Sequence, residues 1–278
     1  MSLDVIALVL LGALLHASWN ALVKAGTDKQ LGSTMVALGA AVASLACLPL
    51  VPLPRIEAWP YVLGSVSIHF CYYQLVGAAY RHGDIGLVYP LMRGVAPLLV
   101  ASTSGVLLDE ALSTLMLVGV MTISAGVLTL AFESRHGSRR AMGLALANAF
   151  VIAAYTYVDG MGARVAGNPI TYTLWICILP PIPLFAVAFL TRGVGPVVAH
   201  VRQTWLRGLF GGAASVASYG LALYAMTRAP IAAVAALRET SILFALLISV
   251  FILKETASKW RYLAGAMIAA GGLLLKIG

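Results

Sequence analysis

The sequence predicts an all-α integral membrane protein, with ten transmembrane helices arranged as two inverted five-helix repeats. The first observation is composition: of 278 residues, 61% are hydrophobic and 10% are charged, against roughly 45–50% and 25% in soluble domains. The second is that the apolar residues form stretches of about 20 residues, the length that crosses the hydrocarbon of a bilayer. The third is that the sequence matches itself at an offset of 145 residues. Together these observations predict a duplicated set of membrane spans.

The apolar segments follow one another with short connections, so neighbouring helices are expected to run antiparallel. No Lys or Arg precedes the first segment. It therefore lacks the basic region of a cleaved signal peptide and is expected to remain as a span. The predicted segments are residues 4–23, 31–51, 60–80, 85–108, 113–131, 141–158, 170–190, 206–226, 231–253 and 261–275.

The internal repeat is clearest in the later part of each half. A shift of 145 residues superposes identical residues: Arg93 on Arg238, Glu110 on Glu255, and Gly126 on Gly271. One strongly polar stretch, ESRHGSRR, separates the two halves. We therefore expect a first repeat over residues 1–132, a cytoplasmic linker over residues 133–140 and a second repeat over residues 141–278.

Basic residues are distributed unevenly between the two sets of connections. The connections after even-numbered segments hold few basic residues: Arg55, Arg164, Arg228 and Lys276. The connections after odd-numbered segments hold most of the rest: Lys24, Lys29, Arg81, Arg135, Arg139, Arg140, Arg192, Arg202, Arg207, Lys254, Lys259 and Arg261. The positive-inside rule places the odd connections in the cytoplasm and both termini outside it. Because each half has five spans, the second half is then inverted relative to the first, which is the geometry of alternating access.

Two long stretches carry a family resemblance. Segments 3 to 5 contain YYQLVGAAYRHGDIGLVYPLMRGVAPLLVASTSGVLLDEALSTLMLVGVMTISAGVLTL, and segments 8 to 10 contain YGLALYAMTRAPIAAVAALRETSILFALLISVFILKETASKWRYLAGAMIAAGGLLL. Both resemble the EamA-type repeat of the drug/metabolite transporter superfamily: a tyrosine-containing helix end, a small-residue turn, an amphipathic helix that closes on an acidic residue, and a Gly-rich last helix. Segment 1, with ALLHASWNALVK, and segment 6, with AFVIAAYTYVDG, are similar to the opening helices of such repeats.

The resemblance implies a membrane transporter that exports small metabolites. The chain is most similar to bacterial aromatic amino-acid exporters, which implies amino acids with aromatic or large apolar side chains as substrates and the bacterial inner membrane as the location. Drug-like cations and nucleotide sugars remain alternative substrates on the same fold. Small proton-driven members of the superfamily carry a glutamate in their first helix, whereas segment 1 of this chain offers His16 and no embedded carboxylate beyond Asp4 at its edge. Proton coupling and facilitated efflux therefore both remain open.

Polar and aromatic side chains inside the spans are candidates for the substrate site, because such residues are costly in a membrane and usually face its protein interior or a water-filled path. In the first segment, three of them share one helical face through their i, i+3 and i+4 spacing. The candidates for substrate binding are His16, Trp19, Asn20, His69, Tyr72, Tyr73, Tyr89, Tyr155, Tyr219 and Ser241. Aromatic walls suit an apolar solute body, and the polar groups suit its head. The alternatives are interfacial belt positions for the aromatic residues and bonds to their own helix backbone for the hydroxyls.

Four charged residues inside or at the edges of the spans are candidates for gating or ion pairing. Arg93 lies eight residues into its segment and Arg238 seven, depths of about 12 and 10 Å at the helical rise of 1.5 Å per residue. An arginine this deep needs a partner or water. Either the arginines bind a substrate carboxylate, or they pair with the acids nearest in depth, Glu239 and Asp159.

Other function classes find little support in the sequence. The embedded histidines have no HExxH, GxSxG or phosphate-loop context, so no enzyme, metal or cofactor is predicted. The net charge of +8 is dispersed among short connections with no domain to present it, which argues against a nucleic-acid partner. The expected partners are a small-molecule substrate and membrane lipid, with the chain acting as a monomer or a homodimer.

Overall fold

The computed structural model describes residues 1–24, 28–133, 138–252, 254 and 256–278. The middle of the predicted linker over residues 133–140, Arg135 within it, and the repeat position Glu255 lie outside the described residues. All regular structure in the described part of the chain is helical. The α-helices are α1 Leu3–Lys24, α2 Lys29–Cys47, α3 Trp59–His82, α4 Ile85–Leu107, α5 Thr114–Thr129, α6 Arg139–Val165, α7 Pro169–Ile178, α8 Pro181–Arg192, α9 Val194–Met226, α10 Ile231–Leu237, α11 Thr240–Leu247 and α12 Lys259–Ile277.

Over these described ranges, nine helical stretches are long and apolar enough to cross a membrane, and there is no β-strand. The nine correspond to the first nine predicted segments. The tenth predicted segment forms α12, which lies outside this set and whose 19 residues include Lys259, Arg261 and Lys276. The protein is therefore an all-helical, multi-pass membrane protein.

Several helix bounds differ from the prediction. The helix α6 continues past the predicted end at residue 158 to Val165, and α9 begins at Val194, well before residue 206. Consequently Arg202 and Arg207, assigned to a connection by the sequence pattern, lie inside α9. The sequence pattern follows hydropathy, whereas a helix continues through polar residues until its backbone bonding stops. Pro196 sits in the first turn of α9, where a missing N–H costs no helical hydrogen bond.

Two predicted spans are each divided. Segment 7 forms α7 and α8, separated at Leu179 and Pro180, because Pro180 and Pro181 lack the N–H groups that would continue the ladder. Segment 9 forms α10 and α11, separated at Arg238 and Glu239, and ends in a π-helical turn over Ile248–Ile252. The second division has no proline to explain it.

The principal helix contacts join the first half of the chain to the second. The helix α5 packs on α12, α3 and α4 pack on α6, and α1 and α2 pack on α9. The largest core cluster is correspondingly shared, with Val5, Val62, Ile123, Leu223 and Ile268 all buried in it. Neither half forms its core alone.

Glycines permit the closest of these approaches, between α2 and α9. A Cβ atom on Gly39 would lie 2.0 Å from the carbonyl oxygen of Gly208, and one on Gly212 would lie 2.1 Å from the backbone nitrogen of Ala40. Small residues that bring helix backbones together are a main source of helix association in membranes, where lipid removes the hydrophobic driving force.

Substitution of Gly39 tests this packing. We expect Gly39→Ala to lower stability by about 1–3 kcal/mol, the usual cost of overpacking a filled core, because the added methyl group meets backbone. Gly143→Ala is the matched control, since this helical glycine of α6 is exposed with open space around it. Thermal unfolding in detergent measures both. Equal stability of the two variants would contradict the account.

Candidate functional site

A buried ion pair joins the two halves within the spans. Arg93 of α4 is 7% exposed and Glu239, between α10 and α11, is 4% exposed. The Nε atom of Arg93 donates to Oε2 of Glu239 at 3.0 Å, and its Nη2 atom lies 2.8 Å from Oε1. Both carboxylate oxygens are thus held by one guanidinium in a bidentate fork, the strongest common geometry for this pair of groups.

The acid of this pair lies at a tightened turn between two helices of one span. The helix α10 ends at Leu237, α11 begins at Thr240, and the N–H of Glu239 donates to the carbonyl oxygen of Ala236 at 3.0 Å, a tight three-residue spacing. Arg238 and Glu239 keep helical dihedral angles and their backbone hydrogen bonds continue, so the division is a tightened turn within one span, a feature that often marks a functional hinge. Arg238 and Glu239 are neighbours in the chain but have different surroundings.

Arg238 has no ionic partner within the part of the chain that the structure describes. Its guanidinium carbon lies 4.8 Å from the centre of the Tyr219 ring, in cation–π geometry. No carboxylate of the described residues lies within 4.0 Å of it, and none of the hydrogen bonds there involves its side chain. Arg238 is half-buried, whereas its neighbours Leu237 and Glu239 are buried.

A group of aromatic rings extends from Tyr219, here named the central aromatic cluster: His69, Tyr72, Tyr73, Tyr155 and Tyr219. The His69 ring stacks on Tyr155 with 4.4 Å between centroids and meets Tyr219 edge-on at 6.2 Å. Tyr72 contacts Tyr155 at 5.8 Å and Tyr73 at 5.2 Å. The cluster therefore combines α3 of the first half with α6 and α9 of the second, beside Arg238.

Asp159, fully buried on α6, anchors the other side of Tyr219. Its Oδ1 atom accepts a hydrogen bond from the Tyr172 hydroxyl at 2.9 Å, and its Oδ2 atom accepts a short one from the Tyr219 hydroxyl. Gly162 makes room for this arrangement, because a Cβ atom there would lie 2.4 Å from the Tyr172 ring. The two phenols satisfy the carboxylate and fix the ring that supports Arg238.

The remaining candidates lie outside the central aromatic cluster. His16 lies on α1 and Tyr89 lies in the first turns of α4, one helical turn before Arg93. Ser241 is buried at the start of α11, and its N–H donates to the carbonyl oxygen of Arg238 at 3.1 Å.

On α1, Trp19 meets His16 edge-on at 5.1 Å, and the Asn20 amide donates to its own helix at the carbonyl oxygen of His16. Contacts among the described residues do not bring Trp19 or Asn20 into the central aromatic cluster.

Sequence reasoning missed two features. Tyr172 was not a candidate, although the stretch Thr171–Tyr172–Thr173 is the one polar run inside segment 7. The second is a network at the helix ends: Glu110 pairs with Arg164 through one oxygen and accepts the N–H of Ile231 at 2.9 Å through the other. Glu110 was noted only as a repeat position, and its partner lies 54 residues away.

The arrangement is suited to non-covalent binding. Across the described ranges, no group of three or more His, Cys, Asp or Glu side chains could hold a metal ion. What the site offers is aromatic surface, hydroxyl groups and one guanidinium without an ionic partner, groups that hold an apolar body and a polar head.

Neutralising Glu239 tests the importance of the ion pair. We expect Glu239→Gln to lower the free energy of unfolding by about 3–5 kcal/mol, because it leaves Arg93 buried without a counter-charge. The double variant Arg93→Met with Glu239→Gln should recover part of that loss. Arg228→Gln is the control, as its pair with Asp4 is 50% and 60% exposed and is worth at most about 1 kcal/mol. Thermal unfolding in detergent measures the stability of these variants. A double variant less stable than Glu239→Gln would contradict the account.

Comparisons with known proteins agree with this architecture. The model of the EamA-like transporter family matches residues 139–277, which is half of the chain. No curated protein gives a significant match. One solved crystal structure, identified simply as a protein, resembles the chain with a TM-score of 0.76 and 18% identity, over 100% of this chain and 98% of that one. At that identity the likeness shows the fold alone. By its family match, the chain belongs to the EamA-like transporter family and is a membrane transporter of the drug/metabolite transporter superfamily.

Proposed function

We propose that the protein exports amino acids with aromatic or large apolar side chains by alternating access. The observation that carries this proposal is the central aromatic cluster, which lies between the two halves and directly against Arg238. Ring faces and edges suit an aromatic or large apolar side chain, and the polar groups around them suit the head of an amino acid.

The proposed mechanism needs two inverted repeats, over residues 1–132 and 141–278, and the helix contacts support them. If the halves correspond span by span, the contact of α1 with α9 becomes the contact of α6 with α3, and both occur. The crossing of α5 with α12 maps onto itself: Gly119 meets Gly271, and Gly126 meets Ala264. Contacts exchanged in this way are what a pseudo-twofold axis produces. With α12 counted as a span, the spans among the described residues number ten.

Alternating access also needs contacts that close the substrate path at one end and can break to open it. The network of Glu110, Arg164 and the N–H of Ile231 ties three helix ends together on one side. Glu133 holds Ser258 and the Arg261 Nε atom, the latter at 3.1 Å, at another set of ends. The loop charges favour a cytoplasmic position for the second set and extracytoplasmic termini. We place the protein in the bacterial inner membrane, as a monomer or a homodimer.

Transport by purified protein in liposomes tests the proposal. We expect uptake of labelled phenylalanine and tryptophan above that of protein-free vesicles, measured with and without a pH gradient. Stimulation by the gradient identifies proton coupling. An equal rate of uptake with and without the gradient identifies facilitated diffusion. Movement of nucleotide sugars or lipophilic cations in place of amino acids would replace the proposed substrate class.

The central aromatic cluster is tested in the same assay. We expect Tyr155→Ala to raise the KM for phenylalanine roughly 3- to 10-fold, the loss that one aromatic pair accounts for. Tyr224→Ala is the matched control, because this tyrosine of α9 packs under Arg228 outside the cluster. An unchanged KM in Tyr155→Ala, or an equal rise in both variants, would remove the cluster from the substrate path.

A further inference from the structure

The repeat supplies two arginines but only one acid beside them. A shift of 145 residues relates Arg93 to Arg238, and the same shift relates Glu239 to Gly94. Glu239 is occupied by Arg93 through both of its oxygens. The second guanidinium therefore has no acid of its own within the repeat.

The donors of Arg238 remain available. A guanidinium has five N–H groups in a planar fork that matches a carboxylate. In the described part of the chain, none of these groups has a hydrogen-bond acceptor, and the cation rests on the face of Tyr219 at 4.8 Å. Asp159 contributes negative charge beyond that ring, but its two oxygens are already bonded to Tyr172 and Tyr219. The charge of Arg238 is thus partly balanced, while its hydrogen bonds are still to be made.

The acids near the centre already have protein partners. Within the described spans, Asp159 and Glu239 are the buried carboxylates, with exposures of 0% and 4%. Each has both oxygens bonded to protein groups. A bound amine would have to share these carboxylates with their protein donors, whereas a bound carboxylate would meet an arginine fork without an acceptor among the described residues. Charge-assisted bonds of the second kind are roughly twice as strong as neutral ones.

We propose that Arg238 binds the carboxylate of the substrate and that the site does not require an amine, so its substrate class is aromatic carboxylates, with aromatic amino acids as one case. This inference rests on the proposed function in taking the space beside the central aromatic cluster as the substrate site. It goes further in naming the group that is recognised and the group that is dispensable.

Calorimetric titration of the full protein in lipid nanodiscs tests the inference with three probes. Phenylalanine carries both groups, 3-phenylpropionate lacks the amine, and phenethylamine lacks the carboxylate. We expect 3-phenylpropionate to bind at least as tightly as phenylalanine, and phenethylamine at least about tenfold more weakly, since one charge-assisted pair accounts for such a factor.

Arg238→Gln should weaken both carboxylates at least about tenfold and leave phenethylamine unchanged. Arg228→Gln is the matched control, because its guanidinium also rests on a tyrosine of α9, at 4.6 Å from the Tyr224 ring, but at the surface. If Arg238→Gln does not fold, the order of the three probes on the unaltered protein still decides.

Phenethylamine binding as tightly as phenylalanine, or 3-phenylpropionate binding Arg238→Gln as it binds the unaltered protein, would overturn the inference. The two proposals fail separately. Arg238-dependent binding of carboxylates without phenylalanine transport would refute the proposed function alone. Phenylalanine transport with an unchanged KM in Arg238→Gln would refute this inference alone.

Discussion

A guanidinium buried within a membrane span has to be neutralised, and the pairing of Arg93 with Glu239 is the interaction on which the centre of this structure depends. It joins α4 of the first half to the divided span of the second, with both oxygens engaged. Removing either partner would leave a charge in a low-dielectric interior, which is far more costly than the pair itself. By engaging Glu239, the pair also leaves the neighbouring Arg238 without an ionic partner among the residues that the structure describes.

The contacts of the other central residues start from Arg238. Arg238 is held on Tyr219, Tyr219 is held by Asp159, and Asp159 is held in turn by Tyr172. Each of these contacts joins a different helix to the next. Tyr219 also belongs to the central aromatic cluster, so a chain of contacting side chains runs from the buried carboxylate of Asp159 to the guanidinium of Arg238, which has no acceptor among the described residues. Preorganised groups of this kind bind a ligand with little further ordering.

Much of this could be predicted from the sequence. Hydropathy gave the spans, and the offset of 145 residues identified Arg93 and Arg238 as a related pair at similar depths. The same offset also contains the asymmetry between Glu239 and Gly94. The family match confirms the predicted transporter class.

What the sequence could not give depends on three-dimensional packing. Tyr172 reaches Asp159 only because Gly162 leaves space for its ring. No proline signals the division of the span at Arg238. The helix α9 begins earlier than its hydropathy indicates. Asn20 looks like a binding residue from its helical face, yet its amide is used by its own backbone.

The most direct test of the central claim is an experimental structure of the protein in lipid with phenylalanine bound. The account predicts the substrate carboxylate on Arg238, at about 2.7–2.9 Å as in charge-assisted hydrogen bonds, with its ring against the central aromatic cluster and Arg93 still paired with Glu239. A carboxylate bound to Arg93 with Glu239 displaced, or a ligand bound away from both arginines, would contradict it.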